Sequence, residues 1–77
     1  MGASESLARA ALGESVRVAG IAGGQEVRSR LASLGLLPGV LVQVVTRAPL
    51  GGPVLIDVGG TRVAIGRKVA QKVLVQR

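Results

Sequence analysis

Side chains that ordinarily carry chemistry are scarce in this chain. It contains no His, Cys or Tyr, and its four carboxylates are Glu5, Glu14, Glu26 and Asp57, each in a different segment. Acid–base and covalent catalysis both need such groups held within hydrogen-bond reach of one another. Ser29 and Ser33 have no imidazole to activate them, so they are expected to be solvent-facing helix positions. A transition metal would want imidazole, thiolate or clustered carboxylate; the first two are absent and the third never occurs as a close pair. The residues therefore predict no catalytic group, no metal site and no cofactor. The glycine-rich stretches at 20–24 and Gly51-Gly52 lack the Lys-Ser or Lys-Thr pair of a phosphate-binding loop and are expected to be turns.

Recognition is the chemistry that remains. Pro49 and Leu50 stand in an apolar loop next to Arg47, and an exposed apolar anchor beside a cation is a common docking arrangement. Leu36 and Leu37 offer a second pair of anchors. Arg67, followed by Lys68, can meet an acidic side chain or a phosphate, or form part of a solvated charged face. Leu36 and Leu50 each have an alternative use, which is to fold back on their own turn as a hydrophobic clamp.

These residues need a scaffold, and 77 residues bound it tightly. A chain of this length is expected to form one domain over 1–77, and it buries only about 60% of its unfolded surface. With no aromatic residue, the core must come from Val, Leu, Ile and Ala, and the β-branched members favour strands. Apolar runs are too short for a membrane span, the start lacks a basic region followed by an apolar core, and cysteine is absent, so a cytosolic protein is expected.

One helix is predicted over 25–34, with Val27, Leu31 and Leu34 on its inner side and Glu26 in the first turn, where the helix dipole favours a negative charge. Gly35 occupies the left-handed position that ends the helix, Leu36 supplies the hydrophobic contact of that cap, and Pro38-Gly39 turns the chain into the next strand. Leu34→Ala is accordingly expected to act as a core truncation costing about 2 to 5 kcal/mol.

Strands are predicted from the alternation of Val16 and Val18, of Val42 and Val44, of Val54, Ile56 and Val58, of Val63 and Ile65, and of Val73 and Val75. Gly51-Gly52 and Gly59-Gly60 make the hairpins of a three-stranded meander. Residues 1–6 are expected to fray, 7–12 to contain a short helical turn that packs Leu7, and 67–71 to form one helical turn. The last strand returns beside the first, giving a mainly β, SH3-like small barrel of about five strands and one short helix. The valine-rich strand ending at Gln76 is the expected free edge, a route to weak self-association.

The run Arg30-Leu31-Ala32-Ser33-Leu34-Gly35-Leu36-Leu37-Pro38-Gly39, followed by Ala48-Pro49-Leu50-Gly51-Gly52-Pro53, resembles the hallmark of the FeoA family of small ferrous iron transport accessory proteins. The likeness extends to Leu7-Ala8-Arg9-Ala10-Ala11-Leu12-Gly13, to Gly23-Gly24 and to Ala64-Ile65-Gly66-Arg67-Lys68-Val69-Ala70, so it covers nearly the whole chain. It implies the same small SH3-like barrel. It also implies a non-catalytic bacterial cytoplasmic protein that docks on the cytosolic, G-protein-like side of the FeoB iron transporter and is peripheral to the inner membrane through that partner.

Ten Lys and Arg against four Asp and Glu give a net charge of +6, which suits an acidic protein surface, nucleic acid or anionic lipid. A small basic barrel binding RNA or DNA nonspecifically is the alternative function. Against it stands the absence of any aromatic side chain on which an unpaired base could stack.

Overall fold

The computed structural model describes residues 5–77. Six strands form one antiparallel sheet in the order β1-β6-β2-β3-β4-β5. They are β1 Glu5–Ser6, β2 Ser15–Ile21, β3 Leu41–Arg47, β4 Val54–Val58, β5 Thr61–Ile65 and β6 Val73–Gln76. A 3-10 turn at Leu7–Arg9, a helix α1 at Gln25–Ser33 and a one-turn helix α2 at Arg67–Ala70 complete the chain. The sheet curls as an SH3-like fold, and its two edge strands, β1 and β5, do not pair with each other.

The alternation within each strand sorts side chains to two faces. Val16 and Val18 of β2, Val42 and Val44 of β3, Val54, Ile56 and Val58 of β4, and Val73 and Val75 of β6 are buried together with Leu7, Leu31, Leu36 and Ile65. Among the described residues this core is made of aliphatic side chains alone. The turn Gly59-Gly60 has φ of 59° and 89°, the pair of positive values that a two-residue hairpin demands, and it sets the register Val58↔Thr61.

Several expectations need correction. Residues 1–6 were expected to fray, but Glu5 and Ser6 pair with Val75 and Leu74, while 1–4 lie outside the described residues. Among the described residues there are thus six strands rather than about five. β2 continues through Gly20 to Ile21, pairing with β6 past a bulge at Ala19, instead of ending in the loop. The strand ending at Gln76 is no edge: β6 lies between β1 and β2, and the long free edge belongs to β5.

The helix exit differs too. Leu34 is the C-cap residue and is 40% exposed, so it does not point into the core as its spacing suggested. Gly35 has φ 91°, its N–H donates to Ala32 O at 2.9 Å, and Leu36 N–H reaches back to Leu31 O at 2.9 Å. This double closure turns the chain so that Leu36, only 1% exposed, packs with buried Leu31. Leu36 is therefore the core leucine at this exit in place of Leu34, and the core-truncation cost moves with it.

Candidate docking site

Loop 48–53 is built by its own backbone. Ala48 N–H donates to Pro53 O at 3.0 Å and Gly52 N–H to Pro49 O at 3.2 Å, closing one turn inside another. At the inner turn Leu50 has φ 58° and Gly51 φ 77°. Among the described residues Leu50 is the one non-glycine with positive φ. A branched side chain in that conformation costs roughly 1–2 kcal/mol. Gly52 is required as glycine, because a Cβ there would lie 2.6 Å from Ala48 Cβ.

Leu50 is also fully exposed, at 103% of its reference area. Burying a leucine is worth about 1.5–3 kcal/mol, none of which this side chain recovers in the free protein. Two local costs coincide at one tip. Strained backbone persists where the surroundings enforce it, and it concentrates at functional positions.

The register shows what shares this end of the sheet. Arg47, Val54 and Ile65 lie side by side across β3, β4 and β5, and the segments that run on from them carry Pro49 and Leu50 on one side and Gly66, Arg67 and Lys68 on the other. Pro49 is exposed, Arg67 is half-buried and Lys68 exposed. Arg47 takes a different role from the one its sequence position suggested. Its guanidinium donates to Ala10 O at 2.8 Å and to Ala8 O, strapping the 3-10 turn onto β3. A cation committed to two carbonyls is a structural tie, not a free docking charge.

Leu36 and Leu37 lie beyond the opposite end of β3 from Leu50. Leu36 is buried and so is not a surface anchor. It helps to line an open groove of about 260 Å³ with Ile21, Gln25, Arg28, Ser29, Ala32, Leu37 and Pro38. Leu37, 49% exposed, remains on the rim. The six candidate residues thus divide into a tip group of Pro49, Leu50 and Arg67, a groove pair of Leu36 and Leu37, and Arg47 as a strap. The groove is not legible in the sequence because Arg28 and Ser29, which line it, are exposed polar residues; the signal that could have found it is the pair Leu36-Leu37, of which only one can be buried by the cap.

Three of the four carboxylates have partners within the fold. Arg77 donates to Glu5 at 2.6 Å and to Glu14, joining β1, the start of β2 and the end of β6. Glu14 is held below the ordinary carboxylate range, first by the Ala11 N–H that donates to it at 2.8 Å and then by Arg77, whose own pKa is raised first by its hydrogen bond to Glu5 and then by that to Glu14. Asp57 accepts from Gly60 N–H at 2.9 Å, and although it lies opposite Arg62 in register, it closes the turn. Among the described residues no three His, Cys, Asp or Glu side chains gather where a metal could be held.

This small, mainly β, SH3-like fold defines a structural class shared by proteins of different roles. Within that class a model of the FeoA domain matches residues 5–77, and the chain belongs to the FeoA family. It is 39% identical over 70 residues to the "Putative Fe(2+) transport protein A" of Methanocaldococcus jannaschii, covering 91% of this chain and 83% of that one. A crystal structure of an iron uptake regulatory protein, FeoA, superposes with a TM-score of 0.85 at 36% identity, covering 97% of each chain. The fold also recurs in a manganese-dependent transcriptional repressor complexed with manganese, with a TM-score of 0.89 at 21% identity, where this chain corresponds to 37% of the repressor. That last likeness is one of fold.

Proposed function

We propose that this FeoA-family chain is a non-catalytic cytoplasmic accessory protein of ferrous iron uptake that docks on the cytosolic, G-protein-like side of a FeoB transporter. The observation that carries the reading is Leu50, fully exposed on a left-handed backbone at the tip of loop 48–53. A partner pocket that covers this side chain recovers the burial energy the free protein forgoes. Arg67 and Lys68, on the same end of the sheet, suit acidic residues around such a pocket. Iron is the transporter's cargo in this scheme, and the accessory chain acts on the transporter without holding the metal.

The test is an NMR titration of the labelled protein with the cytosolic domain of the transporter from the same organism, beside a matched titration with single-stranded RNA. Shifts centred on Pro49, Leu50 and Arg67 with the transporter domain alone are expected, and Leu50→Asp should weaken them while leaving the melting temperature almost unchanged. Binding of RNA across Arg62, Arg67, Lys68 and Lys72, with no response to the transporter domain, would replace this reading by the basic nucleic-acid barrel.

A further inference from the structure

The sheet ends on two very different edges. β1 is two residues long, and the Arg77 to Glu5 ion pair lies on it. β5 is five residues long, pairs among the described residues only with β4, and contains neither proline nor bulge. Proteins usually blunt such an edge with one of these devices; here Arg62 is the only charge on the strand.

The register determines which backbone groups the edge presents. Across a two-residue turn the flanking residues, Val58 and Thr61, form a hydrogen-bonded pair, and such pairs alternate along an antiparallel ladder. Thr61, Val63 and Ile65 therefore direct their N–H and C=O groups at β4. Arg62 and Ala64 direct theirs outward, so two donors and two acceptors stand ready for one more strand. The side chains repeat this division. Val63 is only half-buried at the margin of the core, whereas Arg62 and Ala64 are exposed on the outer face.

We infer that the β5 edge is a strand-addition site for an extended protein segment of alternating acidic and apolar residues. The apolar residue opposite Val63 would complete its burial, and a carboxylate opposite Arg62 would meet a guanidinium that makes no ion pair among the described residues. Asp57 does not fill that place, since its carboxylate accepts the Gly60 N–H. Arg67 and Lys68, which follow the strand, extend the preference for acid. A second copy of this chain is disfavoured as the occupant because each copy brings a net charge of +6. The inference holds whichever protein supplies the strand, and it concerns the side of the sheet rather than the Leu50 tip.

The probe is a blocked hexapeptide, Thr-Glu-Val-Glu-Val-Thr, titrated into the labelled full chain, with the lysine-for-glutamate peptide as its control. Expected results are shifts at Arg62, Val63 and Ala64, slowed exchange of the Arg62 and Ala64 amides, and cross-strand contacts from peptide Hα protons to those two amides. Ala64→Pro removes an outward N–H that the ladder does not use, so binding should vanish in a folded protein. Arg62→Glu, which leaves the backbone alone, should weaken the glutamate peptide by about tenfold and improve the lysine peptide. Equal binding of both peptides, shifts confined to loop 48–53, or no response would each overturn the inference. Dimerisation through 61–65 without peptide would do so as well, by making a second copy the occupant.

Discussion

Two loops of nearly the same composition flank β3 and treat their leucines in opposite ways. At 34–39 the order is Leu-Gly-Leu-Leu-Pro-Gly, and at 49–53 it is Pro-Leu-Gly-Gly-Pro. In the first, Gly35 takes the left-handed conformation, and the residue after it, Leu36, swings back under the helix. In the second, the left-handed conformation falls on Leu50 itself, and its side chain is carried away from the protein. What separates a clamp from a projecting tip is the placement of one glycine relative to one leucine. Hydrophobicity alone does not distinguish the two.

The contrast breaks most visibly at the clamp. Leu36→Ala should cost about 2–5 kcal/mol, because it empties a core position, whereas Leu50→Ala should leave unfolding within about 0.5 kcal/mol of the parent. Equal losses in urea denaturation would mean that the two leucines are not used differently. Gly35→Ala comes next. An L-residue there meets a φ of 91°, and the added Cβ would approach Val58 Cγ1 to 3.2 Å. A loss of roughly 1–2 kcal/mol is expected in the same assay. The smallest effect has the opposite sign: Leu50→Gly relieves the left-handed strain and should raise stability by up to about 1 kcal/mol, offset in part by the greater freedom of glycine in the unfolded chain. If melting instead fell, the tip would be held by contacts that the leucine makes within its own loop.

The clamp was legible in the sequence because its determinants are neighbours. Gly35, Leu36 and the turn at Pro38-Gly39, where Val40 N–H donates to Leu37 O at 3.1 Å, follow from local rules, and so does the Gly59-Gly60 hairpin. What stayed hidden depends on distant partners. Glu5–Ser6 is a strand only because Leu74 and Val75 lie beside it, and nothing in two polar residues announces that. Arg47 looked like a free cation beside an apolar loop until the chain brought in Ala8 and Ala10 from 39 and 37 residues away. Leu34 was misassigned because helical spacing continues smoothly through the residue where the helix stops. The placement of Leu50 was half legible: the loop was apparent, but which residue would take the positive φ depends on how the two nested turns close.

The position of β6 bears on how the molecule is made. Its strand neighbours, β1 and β2, lie at the other end of the chain, while β3, β4 and β5 follow one another through short connections. Pairings between nearby segments close small loops and form readily; those between distant segments wait on a larger loss of chain entropy. The meander, with β2 added along β3, needs only local closures, whereas Glu5–Ser6 waits for the end of the chain. Strand β1 has β6 as its one partner among the described residues, so it finds its place only when residues 73–76 lie between β1 and β2.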